Sequence, residues 1–86
     1  MEKRRILWID DEIELLRPHI LFLEERGYDI TGVTNGEDAI SKIQAIDYDV
    51  ILLDKHLIGR DGFDTFTAIK ALRPHVATVM ITKNEE

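Results

Sequence analysis

Two apolar runs that end in aspartate decide how this chain folds: ILWIDD at residues 6–11 and VILLD at residues 50–54. Each run has the length and the apolar character of a strand buried inside a sheet. If the two strands are parallel neighbours, Asp10, Asp11 and Asp54 converge at the edge where both strands end. Clustered carboxylates repel one another, and a hard cation with oxygen ligands relieves the repulsion. The pattern predicts a Mg²⁺ site with a carboxylate that can act as a nucleophile toward phosphorus.

Strand-like and helix-like segments alternate outward from these two runs. Strands are predicted at residues 5–10, 29–33, 50–53 and 77–81, and helices at 14–26, after an Asn35 cap, and at 63–72. The alternation predicts an α/β fold, a parallel sheet with helices on both faces in the order βαβαβαβ. In the flavodoxin-like strand order the first and third strands are neighbours, and ligands bind at their carboxyl ends. Thr82 would reach the same edge from the fourth strand.

Local signals set the predicted helix boundaries. Pro18 requires the first helix to begin late or to kink, and Gly27 suits a left-handed cap at its end. Asn35 is predicted to cap the second helix. In the third helix, Phe63 and Phe66 are predicted to point inward together with Ile69.

Composition narrows the class of protein. A chain of 86 residues suits one domain, and its net charge of −6 argues against a nucleic-acid surface. It has no cysteine, which excludes disulfides, zinc thiolates and a thiol nucleophile. No apolar stretch approaches the ~18 residues of a membrane span, and the N-terminus lacks the features of a signal peptide. We therefore expect a cytoplasmic protein without a membrane partner.

The chain resembles the receiver (CheY-like) domain of two-component response regulators. The matching residues are DDE at 10–12, Asp54, DG at 61–62, and Thr82. Their joint spacing on an alternating β/α pattern covers essentially the whole chain, although each piece alone is weak. The opening ILWIDDE (6–12) and the ending MITK (80–83) are similar to receivers of PorX-type regulators, in which a receiver precedes a PglZ-type domain.

The resemblance implies a role for each site residue. Asp54 would accept a phosphoryl group, and Asp10 and Asp11 would hold Mg²⁺ together with Asp54 and the backbone carbonyl of His56. Thr82 would contact a phosphoryl oxygen and shift inward after phosphorylation. The phosphodonor would be a sensor histidine kinase or a small phosphodonor. The domain would be a signalling module, not an enzyme, although it would assist its own phosphorylation and dephosphorylation.

The chain also departs from the family pattern. Receivers continue into a fifth strand with a lysine, and then a fifth helix, so we expect residues 1–86 to be a receiver truncated at its C-terminus. Ile58 stands where the family usually has proline, and Lys83 follows the threonine where a small residue is usual. Without a fifth strand, residues 77–81 would form an apolar sheet edge, and we expect chains to self-associate through it.

Two other functions remain open at this point. A haloacid-dehalogenase-like phosphatase would carry Asp-x-Asp after its first strand, whereas Asp10 and Asp11 are adjacent, and 86 residues leave no room for a substrate-covering cap. A degenerate receiver would instead signal through protein contacts without phosphorylation. Unchanged partner binding by Asp54→Asn would support that second alternative.

Overall fold

The computed structural model describes residues 3–57 and 62–82. The strands are β1 (Arg4–Ile9), β2 (Tyr28–Val33), β3 (Val50–Asp54) and β4 (Ala77–Ile81). The helices are α1 (Arg17–Glu25), α2 (Gly36–Ala45) and α3 (Gly62–Leu72), and a 3₁₀ helix (Ile13–Leu16) precedes α1. The predicted elements are confirmed in kind and order. The predicted features at Ile58, Asp61 and Lys83 lie outside the described residues.

The four strands form one parallel sheet in the order β2-β1-β3-β4. Strands β1 and β3 are hydrogen-bonded neighbours, with Ile9 opposite Leu53. Strand β4 lies on the other side of β3, with Ile81 opposite Asp54. The flavodoxin-like arrangement is therefore confirmed, and the carboxyl ends of β1, β3 and β4 lie side by side.

The main core lies between the sheet and the pair α2 and α3. Alternate residues of the two central strands face these helices and are buried, because side chains of a strand alternate between its two faces. The fully buried members are Leu7, Ile9, Ala39, Ile43, Ile51, Leu53 and Ile69. Helix α1 covers the opposite face, where Trp8 lines a cavity of about 380 Å³ with residues of α1. The helices thus occupy both faces, as predicted.

The predicted boundary signals act as expected. Pro18 lies in the first turn of α1, where a missing N–H costs no helix bond, and the 3₁₀ helix takes up the preceding residues. At the start of α1, Arg17 Nε donates to Glu14 Oε1 at 3.2 Å, and this exposed hydrogen bond, together with the charge of Arg17, lowers the pKa of the Glu14 carboxyl. Gly27 has φ of 98° just after α1, and Asn35 caps α2 by accepting the Asp38 N–H at 2.8 Å.

One predicted core residue is wrong. Phe63 was expected to point inward, yet it is 63 % exposed, whereas Phe66 packs against the core and Ile69 is fully buried. Phe63 stands in the first turn of α3, directly after Gly62, and the spacing of the buried positions follows Gly62, Thr65 and Ile69 instead. Helical periodicity correctly predicted that one face of α3 is buried, but it assigned the first position of that face to Phe63 instead of Gly62.

No helix in the described part of the chain has both the length and the apolar character needed to span a membrane.

Candidate functional site

The two adjacent aspartates lie directly after β1. The backbone N–H of Asp10 donates to the Val33 carbonyl at 3.0 Å, which extends the pairing of β1 with β2 by one residue. The Asp10 side chain is only 2 % exposed, whereas Asp11 is half-buried. The carboxylate of Asp10 is therefore in the protein interior, and that of Asp11 is nearer to solvent.

The third aspartate is the last residue of β3. Asp54 is 2 % exposed and lies opposite Ile81 in the register with β4. One residue after β3, the Lys55 N–H donates a further inter-strand hydrogen bond to the Ile81 carbonyl of β4 at 3.0 Å. Asp54 is thus held in the middle of the sheet edge, between β1 and β4.

The predicted convergence of carboxylates is present. One carboxylate oxygen from each of Asp10, Asp11 and Asp54 lies within 4.8 Å of the others. Mg²⁺ holds oxygen ligands at about 2.1 Å in octahedral geometry, which places neighbouring ligands about 3 Å apart and opposite ones about 4 Å apart. These three oxygens fit such a shell after a small inward movement, and two of the three side chains are shielded from water.

Backbone N–H groups orient the two buried carboxylates, a feature that the sequence analysis did not identify. The Glu12 N–H donates to Asp10 Oδ1 at 2.8 Å, and the His56 N–H donates to Asp54 Oδ1 at 3.1 Å. In both cases an aspartate accepts from the residue two positions later, as in an Asx turn. An aspartate that ends a strand is the available sequence signal, but the turn conformation of the next residues is decided by the fold.

The structure places the other two predicted residues at the same edge. Thr82 is exposed and directly follows Ile81, the residue opposite Asp54. His56 is exposed, and its N–H contacts Asp54. The proposed contacts of Thr82 with a phosphoryl oxygen and of the His56 carbonyl with a metal stay predictions.

Comparison with known proteins agrees with this arrangement. Residues 6–86 match the family described as "Response regulator receiver domain". The transcriptional regulatory protein ResD of Bacillus subtilis is 34 % identical over 82 residues, which are 95 % of this chain and 34 % of ResD. The sensory transduction protein RegX3 of Mycobacterium tuberculosis is 31 % identical over 80 residues, 93 % of this chain and 35 % of RegX3.

Solved structures show the same fold. A CheY-like receiver domain protein from Methanospirillum hungatei superposes with a TM-score of 0.90 at 25 % identity, covering 99 % of this chain and 68 % of that one. The response regulator TrrA from Thermotoga maritima, solved in complex with Mg²⁺-BeF, gives 0.85 at 29 % identity, covering 95 % and 71 %.

The fold and the carboxylate cluster are those of a receiver domain of two-component response regulators. The chain belongs to the response regulator receiver domain family, since the family match spans nearly all of it. This membership sets aside the haloacid-dehalogenase-like alternative. The chain spans about a third of the length of the curated relatives named above. The narrower resemblance to PorX-type receivers stays a prediction.

Proposed function

We propose that this chain is a phosphorylation-dependent receiver in which Asp54 accepts a phosphoryl group. The observation that carries the proposal is the convergence of Asp10, Asp11 and Asp54 within 4.8 Å at the carboxyl edge of the sheet. Asp54 ends β3, the neighbour of β1, and Asp10 and Asp11 directly follow β1, so a phosphodonor approaching this edge meets Asp54 together with the other two carboxylates.

The transfer forms one bond and breaks one. An oxygen of the Asp54 carboxylate attacks phosphorus, and the bond between phosphorus and the donor breaks. The leaving group, a kinase imidazole or the carboxylate of acetyl phosphate, keeps the electron pair. The product is an aspartyl phosphate, a mixed anhydride. Such a transfer depends on positioning and charge neutralisation more than on an acid or base, so the domain assists its own phosphorylation without being an enzyme for another substrate.

Each site residue has a part in positioning. The His56 N–H holds Asp54 Oδ1 at 3.1 Å and so orients the carboxylate. Asp10, Asp11, Asp54 and the His56 backbone carbonyl would hold Mg²⁺. When bound, the ion neutralises charge on the phosphoryl oxygens. The TrrA structure in complex with Mg²⁺-BeF supports this assignment by similarity.

The proposal extends to the switch and the partners. Thr82 follows the strand next to Asp54, so a movement of Thr82 toward new phosphoryl oxygens would change the surface beyond β4. The phosphodonor is a sensor histidine kinase or a small phosphodonor in the cytoplasm. The output domain lies outside this chain, and no contact with nucleic acid or membrane is proposed for the receiver itself.

Self-association is a separate part of the proposal. Strand β4 is at one edge of the described sheet, and its five residues, ATVMI, include no charge, proline or glycine that would discourage pairing with another chain. A second copy of this chain fits the edge because two such strands carry no like charges to repel each other.

The decisive experiment is the intact mass of the chain after incubation with acetyl phosphate and Mg²⁺. We expect one phosphoryl adduct, which is lost in Asp54→Asn and in the presence of EDTA. Asp29→Asn is the matched control, because Asp29 lies on β2 at the opposite end of its strand from the site. This control should retain the adduct.

The outcomes separate the two remaining functions. An adduct that persists in Asp54→Asn would place the phosphoacceptor elsewhere. No adduct on the unmodified chain would contradict phosphorylation by a small donor, and it would favour a receiver that signals through protein contacts alone. Repeating the assay on a chain extended through a fifth strand and helix would show whether the family's lysine is required for transfer.

A further inference from the structure

Gly62 lies close to the backbone of the segment that follows Asp54. It is the first residue of α3 and is buried. A Cβ atom at this position would lie 2.6 Å from the Lys55 carbonyl oxygen, 2.8 Å from its Cα and 2.9 Å from its carbonyl carbon. All three atoms belong to the backbone, so no side-chain rotation would relieve the overlap. Any other residue at position 62 requires the backbone to move.

The atoms that Gly62 contacts belong to the same peptide group that holds Asp54. The Lys55 carbonyl and the His56 N–H are the two ends of one planar unit. The carbonyl end packs against Gly62, and the N–H end donates to Asp54 Oδ1 at 3.1 Å. Because the unit is rigid, pushing its carbonyl away from α3 tilts the N–H away from the carboxylate.

The other attachments of this segment leave little freedom to compensate. The Lys55 N–H is bonded to the Ile81 carbonyl of β4 at 3.0 Å, and Asp54 is itself part of β3. The sheet therefore holds the residues before the Lys55–His56 peptide, and Gly62 of α3 packs against its carbonyl. A side chain at position 62 has to turn this peptide or lift the first turn of α3.

Gly62 is needed for close approach, since its own backbone conformation is one that other residues adopt. In the described residues, positive φ occurs at Gly27 and not at Gly62. Gly27 is therefore a suitable control for Gly62, because a side chain at Gly27 would be opposed by backbone conformation and a side chain at Gly62 by close packing. Alanine at Gly27 would be strained but would meet nothing within 4 Å, whereas alanine at Gly62 would meet the Lys55 backbone.

We propose that Gly62 is a positioning residue for the phosphoacceptor. Its missing side chain lets the Lys55–His56 peptide lie against α3, and this peptide orients the Asp54 carboxylate for attack. The effect on phosphorylation rests on the function proposed above, whereas the effect on the peptide does not.

The test compares Gly62→Ala with Gly27→Ala, at a temperature where circular dichroism shows both to be folded. The first readout is the ¹⁵N–¹H resonance of His56 in the protein without metal or phosphodonor. We expect it to move in Gly62→Ala, as for an amide that has lost its hydrogen bond, and to stay in place in Gly27→Ala. The second readout is the initial rate of adduct formation with acetyl phosphate and Mg²⁺. We expect a loss of at least ~10-fold in Gly62→Ala only, given the sensitivity of such reactions to misplacement of ~1 Å.

A second variant covers the case in which Gly62→Ala does not fold. His56→Pro removes the same N–H donor while position 62 stays glycine, and it should lower the rate to a similar degree. An unmoved His56 resonance in Gly62→Ala, or rates in Gly62→Ala and His56→Pro equal to that of Gly27→Ala, would overturn the proposal. If the unmodified chain takes no phosphoryl group, the proposed function fails, and the His56 resonance still decides the role of Gly62.

Discussion

The adjacent residues Asp10 and Asp11 have different surroundings although they are chemically identical. Asp10 is buried, its N–H extends the pairing with β2, and its side chain accepts the Glu12 N–H. Asp11 is half-buried in the turn that follows. Asp10 thus contributes to the local structure as well as to the cluster, whereas Asp11 can be changed with less damage to the fold. Asp11 is accordingly the better position at which to test the proposed metal site.

We expect Asp11→Ala to bind Mg²⁺ at least ~10-fold more weakly than the unmodified chain, because the shell loses one of its oxygen ligands. Fluorescence of Trp8, the one tryptophan of the chain, reports the titration from the strand that leads into the site. Asp29→Ala removes the same charge at the distant end of β2 and should leave the affinity within about twofold. Equal affinity in Asp11→Ala and the unmodified chain would show that the assigned site is wrong.

At the scale of elements, one arginine joins the ends of two helices. Arg73 directly follows α3, and its Nη2 donates to the carbonyl of Ile43 in the last turn of α2 at 2.6 Å. Its Nη1 donates to the Leu72 carbonyl at 3.0 Å. Carbonyls in the last turn of a helix have no partner within the helix, and a cation there also complements the helix dipole. Arg73 therefore fixes α3 against α2 on the face of the sheet that holds the core.

We expect Arg73→Ala to lower the free energy of unfolding by about 1–3 kcal/mol, because the carbonyl of the buried residue Ile43 loses a charge-assisted partner. Chemical denaturation measures this change. Arg4→Ala, at the exposed start of β1, removes the same charge and should change stability by less than about 0.5 kcal/mol. A cost in Arg73→Ala no larger than in Arg4→Ala would mean that the contact between the helix ends contributes nothing measurable.

At the scale of the molecule, the two edges of the described sheet differ in character. Strand β2 carries Asp29 and Gly32, residues that discourage strand pairing, whereas β4 is ATVMI. Val79, at the centre of β4, is 49 % exposed. The surface that phosphorylation would alter and the edge most suited to another chain are therefore adjacent.

We expect the chain to self-associate as its concentration rises, and Val79→Lys to weaken this association by at least ~10-fold, because a charge in an edge strand opposes pairing. Sedimentation velocity over a concentration series measures both. Leu21→Lys is the matched control, since Leu21 is an exposed apolar residue of α1 away from the edge. A chain that stays monomeric at the highest concentration, or equal weakening by both variants, would contradict the edge as the contact.

Some features of the fold could be predicted from the sequence because they depend on interactions between residues that are close in the chain. The run from Ile6 to Asp10 has the pattern of a buried strand, Asn35 has the short polar side chain that caps a helix, and Gly27 accepts the left-handed backbone. Phe63 was misplaced because both faces of a short helix carry apolar residues, and only packing against the sheet decides which of them is buried. Sequence periodicity cannot make that choice.

The sequence by itself determined the alternation of strands and helices and the presence of an aspartate at the end of each central strand, because these depend on neighbouring residues. The sequence predicted the meeting of the three carboxylates only on the condition that β1 and β3 are neighbours. The tertiary structure decided that these strands are adjacent and that the carboxylates lie within 4.8 Å of one another. It also decided that one peptide group contacts Gly62 and Asp54 at its two ends. These contacts join residues far apart in the chain, and their distances depend on how whole elements pack, which no local pattern encodes.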